Sequence, residues 1–252
     1  MSKTKQVEKS STQTSAFKLT NSDLILFKNA ANISKGLLIK AGSDRIVCKN
    51  VSVTSPTASL LMNGRLSAPV STAIAIADTS KFLSVLESFD EPVMDITPAF
   101  IKVSGKSGGS YRFMTCGQAA IEPYICKNDE LVIDGYDCTV EISKEELSQI
   151  ISASRISDLK ALMFNSDGNN VSAIAIVDTS IAEIDQKRIE ESDQFELPLT
   201  MLSNETNNKF KKSVRISDLK MIPGNYQVYI SAENEIVKFV GDLATYWVQT
   251  QD

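Results

Sequence analysis

The sequence contains no histidine in its 252 residues. This absence excludes Ser-His-Asp and Cys-His catalysis, histidine-ligated zinc or haem, and acid–base chemistry by imidazole. The chain also lacks a P-loop and a G-x-S-x-G motif, and no apolar run approaches the roughly 18 residues of a membrane-spanning helix. A chain with these gaps is more typical of a binding protein than of an enzyme.

Cysteine is scarce, and its spacing argues against a metal site. The four residues Cys48, Cys116, Cys126 and Cys138 include no C-x-x-C pair, so we expect four reduced thiols in a cytosolic protein and no metal or other cofactor. The polar residues 1–16 lack the apolar core of a signal peptide, so secretion is not expected. Their Ser, Thr and Lys content predicts a disordered tail.

The net charge of −5 is unevenly distributed along the chain. Residues 17–125 carry 11 basic and 8 acidic side chains, whereas residues 126–252 carry 12 basic and 22 acidic ones. An acidic protein is repelled by DNA unless its basic residues are gathered on one surface. The position of the cations therefore matters more than their number.

The order of predicted elements occurs twice. A helix, four or five strands, a second helix and three strands are predicted in residues 17–116 and again in residues 138–252. Residues 117–137, with a proline, a glycine and an acidic cluster, are interpreted as a linker lying over the surface. This order is typical of an α+β protein with two similar domains and mostly antiparallel sheets. The helices are predicted at residues 21–33, 78–89, 143–155 and 217–222.

Two literal repeats also occur, and neither pair lies at equivalent points of the two domains. Residues 73–80 (AIAIADTS) resemble residues 173–180 (AIAIVDTS), and the hexapeptide RISDLK occupies both residues 155–160 and residues 215–220. We interpret both pairs as coincidence or local convergence. The domain duplication therefore rests on the order of elements alone.

The predicted helices share a division of faces. Each one buries an apolar face and carries Lys or Arg with Ser, Asn or Gln on another face, as a sequence-indifferent DNA surface requires. Ordinary solvated helix faces are the competing interpretation. The denser basic cluster at residues 209–215 has two equal readings, a phosphate contact or an edge strand kept soluble by lysines.

Three stretches give the chain a resemblance to a known family. Residues 26–42 (LFKNAANISKGLLIKAG), residues 142–155 (ISKEELSQIISASR) and residues 221–226 (MIPGNY) followed by residues 237–246 (VKFVGDLATY) are similar to segments of the sliding clamps of T-even-type bacteriophages. Their order and spacing carry the likeness, which is patchy between them and extends from about residue 19 onward.

The resemblance implies a clamp fold with two similar domains per chain, in which antiparallel sheets lie outside and helices line a ring. Such clamps are homotrimers that encircle duplex DNA without reading its sequence and tether the replicative polymerase. An ATP-driven clamp loader places them on DNA, and in T-even phages they also activate late transcription. The chain would then work inside the host cell, near the nucleoid.

Candidate site residues follow from the resemblance and from the helical faces. Lys28 and Arg155 match basic residues of the family's inner helices. The helical faces add four further candidates for DNA binding: Lys35, Lys81, Lys144 and Lys220. For the pocket that receives partner peptides, the candidates are Ile125, Tyr136, Met221, Pro223 and Tyr226; a core or turn role is the competing interpretation.

The contact between subunits is expected to be edge-to-edge pairing of strands. Residues 111–115 late in the first domain would pair with residues 181–188 of the second domain of a neighbouring subunit. The main rival to this reading is a non-enzymatic, β-rich virion or assembly protein that binds only protein. Such a protein needs no basic helical surface.

Overall fold

The computed structural model describes residues 16–51, 58–177, 193–204 and 208–251. The expected tail therefore lies outside the described residues, except that Ala16 belongs to a strand and pairs with Asp95. The strand expected at residues 181–188 also lies outside them.

The described residues of the first half form two helices and eight strands. In chain order they are β1 (Ala16–Lys18), α1 (Asn21–Ile33), β2 (Leu37–Ile39), β3 (Arg45–Lys49), β4 (Leu60–Arg65), β5 (Ile74–Ile76), α2 (Thr79–Glu87), β6 (Val93–Ile96), β7 (Phe100–Ser104) and β8 (Ser110–Met114).

The second half has eight strands, but only one α-helix among its described residues. After a 3-10 turn (Gln118–Tyr124), the elements are β9 (Cys138–Ile142), α3 (Lys144–Ile156), β10 (Ala161–Asp167), β11 (Val171–Ile176), β12 (Phe195–Asn204), β13 (Lys209–Arg215), a 3-10 turn (Ile216–Asp218), β14 (Tyr226–Ser231), β15 (Ile236–Val240) and β16 (Ala244–Gln249).

Equivalent hydrogen bonds show that the two halves follow one plan. In the first half, the Thr79 amide at the start of α2 donates to the Lys35 carbonyl just after α1, at 2.9 Å. In the second half, the Ile216 amide donates in the same way to the Lys160 carbonyl just after α3, at 2.8 Å. The correspondence makes β8 the counterpart of β16 and β4 the counterpart of β12.

The described strands form two hydrogen-bonded sheets. A four-stranded sheet has the order β1-β6-β7-β8, and a twelve-stranded sheet has the order β13-β10-β11-β12-β9-β14-β15-β16-β4-β3-β2-β5. The two halves meet inside the larger sheet, where β16 pairs antiparallel with β4 and Tyr246 lies opposite Met62. One hydrophobic core runs through both halves and includes Phe82, Phe164 and Phe239.

The prediction of a helix at residues 217–222 is wrong, because the structure has only the 3-10 turn Ile216–Asp218 in this region. Six residues that end just before Pro223 are too few to offset the cost of helix nucleation. The following backbone groups bond elsewhere. The Lys220 carbonyl accepts from the Asn29 side chain of α1 at 2.6 Å, and the Ile222 amide donates to the Tyr246 hydroxyl at 3.2 Å.

The other three predicted helices are present with small differences at their ends. Helix α1 has the predicted bounds, and its cap is Thr20. Helix α2 ends at Glu87, two residues early, and helix α3 begins one residue late, after its cap Ser143, and ends at Ile156.

The segment predicted as a linker is partly structured. Its first part is the 3-10 turn, whose Ile121 is buried. The backbone of Gly36 lies so close to the ring of Tyr124 that a Cβ at this position would be 2.6 Å from a ring carbon. Residues 125–137 have no regular secondary structure and cross from one half to the other. Every residue from 125 to 137 is exposed or partly exposed, so this part of the segment lies over the surface.

A buried carboxylate fixes the start of α1. Asp23 is fully buried and accepts hydrogen bonds from the amides of Thr20 and Ser67, at 2.7 and 2.8 Å, and from both their hydroxyls at 2.7 Å. Burial alone would raise the pKa of Asp23, but the bonds from Ser67 and Thr20 offset it and hold the pKa below its usual range. The charged form is thus the one that the fold selects.

Asp23→Ala should therefore lower the free energy of unfolding by about 1–3 kcal/mol at pH 7. Because the folded pKa lies below the unfolded one, this contribution is present above the unfolded pKa and is lost as pH falls through the folded value. Urea unfolding at fixed protein concentration, from pH 7 to pH 3, should show the variant and the wild type converging. Asp90→Ala, at an exposed carboxylate, is the control, and an equal loss in both variants would contradict the prediction.

Candidate nucleic-acid interface

Helices α1 and α2 form one exposed basic surface in the first half. Their buried faces meet where Phe27 packs edge-on against Phe82, with ring centroids 5.7 Å apart. Lys28, Lys35 and Lys81 all lie on the exposed sides. The bond from the Thr79 amide to the Lys35 carbonyl joins the end of α1 to the start of α2, so Lys35 and Lys81 flank that joint.

One acidic side chain interrupts this surface. Glu87 of α2 lies 3.9 Å from the Lys28 ammonium, and both side chains are more than half exposed. A pair of this kind contributes about 0–1 kcal/mol and is screened by salt. Lys28 therefore remains available to an anion.

Helix α3 carries two of the predicted cations at its two ends. Lys144 is the first residue and Arg155 lies in the last turn, and both are exposed. The Lys144 amide donates to the Asn225 side chain at 2.9 Å, which ties the helix start to β14. Arg155 also complements the negative end of the helix dipole.

Lys220 lies at the junction of the two halves. Its ammonium donates to the Asn32 carbonyl at the end of α1 at 3.4 Å. A groove of about 520 Å³ opens between this segment and the helix pair, and its lining includes Lys28, Met221 and Pro223. Lys28 thus lines the groove and Lys220 lies next to it, before Met221, while Lys144 and Arg155 lie apart on α3.

The five residues predicted to bind partners do not form one pocket. Met221 and Pro223 lie on the helix side, beside α1. Tyr226 is buried, and its ring packs edge-on against Phe239 and Tyr246 at 6.2 and 6.1 Å. Burial raises the pKa of Tyr226, and its hydroxyl donates to the Ile222 carbonyl. Tyr226 is therefore a core residue.

Ile125 and Tyr136 lie on the opposite, outward face. Ile125 covers a small cleft over Leu38 and Val47, and the neighbouring Asp129 pairs with Lys40 at 2.7 Å. Because side chains alternate along a strand, the outward face of β14 presents Tyr229 while Tyr226 faces the core. Thus the sheet itself separates the two groups of residues.

The outward face also holds an aromatic cluster. Tyr136 packs against Tyr229, with ring centroids 5.2 Å apart, and the Lys238 ammonium lies 5.5–6.0 Å from the rings of Tyr136, Tyr229 and Trp247. Such contacts stabilise by about 0.5–1 kcal/mol at exposed sites. They fix the end of the linker to the second half.

Sequence analysis missed two residues that join the halves from the helix side. The Asn29 amide donates to the Lys220 carbonyl at 2.6 Å, and its oxygen accepts from the Tyr246 hydroxyl at 2.9 Å. Burial raises the pKa of Tyr246 to about 12, so the hydroxyl stays protonated as a donor. The sequence offered no signal for this contact, because 217 positions separate the two residues.

The lysine-rich β13 is the outermost strand of the larger sheet among the described elements. Lys209 and Lys211 are exposed on it, and Ser213 bonds to Gln251 at its far end. This position agrees with the reading in which lysines protect a sheet edge.

Within the described ranges, no group of three or more His, Cys, Asp or Glu side chains could hold a metal ion. In the same residues, no helix is long and apolar enough to cross a membrane.

Comparisons with known proteins agree with this geometry. Residues 139–252 match the family model described as "gp45 sliding clamp, C terminal". The chain is 22% identical to the sliding clamp of Enterobacteria phage T4 over 241 residues, covering 92% of this chain and 95% of that protein. It is also 22% identical to the sliding clamp of Escherichia phage RB69, covering 91% of this chain and 94% of the relative.

The fold is shared with more distant proteins. The structure of A. fulgidus PCNA bound to the C-terminal region of FEN-1 has a TM-score of 0.67 and 12% identity, covering 94% of this chain and 98% of that one. PCNA from Thermococcus kodakaraensis has a TM-score of 0.65 and 11% identity, covering 94% of this chain and 99% of that one. The predicted clamp fold and the resemblance to T-even-type phage clamps are both confirmed.

Asn29→Ala should weaken the junction of the two halves. The change leaves the buried Tyr246 hydroxyl and the Lys220 carbonyl without their partner, which costs about 1–3 kcal/mol. Asn32→Ala, one turn along the same helix and exposed, is the matched control and should cost less than about 0.5 kcal/mol. Urea unfolding curves of the two variants at equal protein concentration measure the difference, and equal curves would contradict it.

Proposed function

We propose, from the relation of this chain to the T-even-type phage sliding clamps along most of its length, that it forms a closed ring around duplex DNA. The ring tethers the replicative DNA polymerase for processive synthesis. The chain holds its cargo by topology and needs no catalytic group. The observation that carries the proposal is the internal repeat, which leaves one strand edge of each half to be paired by another subunit.

The repeat indicates how the ring closes. Inside one chain, β16 of the second half pairs with β4 of the first. The equivalent pairing would join β8, the counterpart of β16, to β12, the counterpart of β4. Strand β8 is outermost in its sheet, and Tyr111 and Met114 on it are 43% and 64% exposed. We therefore assign the subunit contact to β8 and to residues 195–199 of β12 on the next subunit, in place of residues 181–188.

Three chains would give a ring of six similar units, as the resemblance to the homotrimeric phage clamps implies. In this ring the helices of each half line the hole, and the twelve-stranded sheets form the wall. The candidate DNA contacts are the six cations proposed from the sequence. Weak, salt-sensitive phosphate contacts permit sliding, whereas contacts with bases would stall it.

The outward face beneath the linker is the proposed docking surface for partner segments. Ile125 and Tyr136 border this face, and an extended peptide from a polymerase or clamp loader would dock beside them. By analogy, the A. fulgidus PCNA structure contains a bound FEN-1 segment. The host-cell cytoplasm as location and a role in late transcription belong to the same proposal.

Disruption of the β8 edge should break the ring. Met114→Glu places a carboxylate in the pairing edge, so light scattering should shift from about three times the 27.5 kDa chain mass towards the monomer. Val132→Glu, at a 90% exposed linker residue, is the control and should keep the assembled mass. A wild-type chain that stays monomeric at tens of micromolar would argue against the ring itself.

The DNA contacts can be tested by primer extension on circular DNA with the cognate polymerase and clamp loader. Lys28→Ala combined with Arg155→Ala should lower loading or processivity at moderate salt, without unfolding the protein, because two cations per subunit are lost. Lys102→Ala, on the exposed side of β7 and away from the helices, is the control. Unchanged processivity in the double variant would count against these sites, and no stimulation by the wild type would count against the clamp function.

A further inference from the structure

The two copies of RISDLK meet in space. Strand β10, which follows the first copy, pairs with β13, where Ala161 lies opposite Arg215, the first residue of the second copy. The Ile216 amide then bonds to the Lys160 carbonyl, so the end of one hexapeptide joins the start of the other. The two copies of RISDLK, which do not lie at equivalent points of the two domains, thus form one local structure.

A cleft of about 470 Å³ opens where the copies meet, at the end of α3. Three cations line it, Arg155, Lys160 and Arg215, together with one carboxylate, Asp158. All four side chains are exposed, and Asp158 is paired with Lys160. In the described residues neither arginine forms an ion pair with an acidic side chain. The cleft therefore carries a net excess of positive charge.

The two identical hexapeptides contribute differently to the cleft. In the second copy Asp218 is buried, accepts from the Asn50 side chain at 3.3 Å and does not line the cleft. Arg215 and Ser217 do line it. The fold has thus turned one of the two acidic side chains away and left both arginines facing the same space.

The shortened second helix explains why the cleft is open. In the first half, the residues after the equivalent joint continue into α2, which spans Thr79–Glu87. In the second half the chain leaves the joint after the turn Ile216–Asp218, so no helix of the described residues covers the end of α3. The cleft consequently occupies the position in the second half that Lys35 and Lys81 flank in the first.

We propose that this cleft binds a phosphate of the DNA backbone through Arg155 and Arg215, with Lys160 beside them. Guanidinium groups bind phosphate oxygens through paired N–H donors, and the lining hydroxyl of Ser217 adds a further donor. This inference rests on the proposed function and adds Lys160 and Arg215 to the DNA contacts. Repeated in each subunit, the cleft places one phosphate contact at the gap left by each shortened helix.

The test uses the full chain and a short fluorescent duplex, with binding followed by anisotropy over a series of NaCl concentrations. The slope of log K against log salt is negative. Loss of one phosphate contact should reduce its magnitude by about 0.9 for each subunit surface that contacts the DNA. Arg155→Gln and Arg215→Gln should each reduce this magnitude and weaken binding equally for unrelated sequences. Arg215→Lys keeps the charge and should retain the slope, while Lys102→Gln should leave binding unchanged.

The outcomes distinguish failure of the proposed phosphate site from failure of the proposed clamp function. If both arginine variants kept the wild-type salt slope while Lys28→Gln and Lys35→Gln reduced its magnitude, the proposed phosphate site in the cleft would be wrong. The proposed clamp function would be unaffected. A wild-type chain with no salt-dependent binding and no stimulation of the polymerase would overturn both. Circular dichroism and light scattering confirm that each variant is folded and assembled.

Discussion

The antiparallel pairing of β16 with β4 is the constraint on which the rest of the structure depends. It joins two similar halves into one continuous sheet and fixes their relative orientation by a ladder of backbone hydrogen bonds. Because each half repeats the same plan, the pairing also indicates which edges would join in the proposed ring. Among the described strands β8 is outermost in its sheet, an edge that another strand can pair.

The shortened second helix of the second half has two structural consequences. The chain that would have formed it runs as an extended segment to α1, where Lys220 and Ile222 bond to Asn29 and Tyr246 and reinforce the junction. The space it vacates opens the cleft at the end of α3. One departure from the internal symmetry thus stiffens the chain between its halves and exposes a basic site.

The distribution of charge matches the layers of the fold. The chain is acidic overall, yet its helices and the turns between them present exposed cations such as Lys28 and Arg155. Several acids that lie on helices have structural tasks, as Asp23 does in the capping of α1. The acidic residues of the linker lie on the outward face, where Asp129 pairs with Lys40. This separation suits a protein that must approach DNA on one surface alone.

Local signals in the sequence were sufficient for most of the elements. Three helices were predicted, because the signals that start them are local: the structure shows a capping box from Ser143 to Glu146 and a cap at Asp78, each formed by residues close in sequence. The same logic failed at residues 217–222, where Pro223 and distant partners decided the backbone. The resemblance suggested Lys28 and Arg155 as basic residues of the helices, and the structure places both on exposed helix surfaces.

The sequence alone therefore determined three of the helices, the duplication and the absence of histidine. It did not determine strand β1 before α1 or the turn at residues 216–218. Only the tertiary structure decided which residues meet. It placed Tyr226 in the core and Tyr136 on the outward face, because alternate side chains of a strand point to opposite sides of a sheet. It brought Asn29 to Tyr246 and Arg155 to the cleft of Arg215. Those contacts depend on pairings between strands far apart in the chain, which no local pattern encodes.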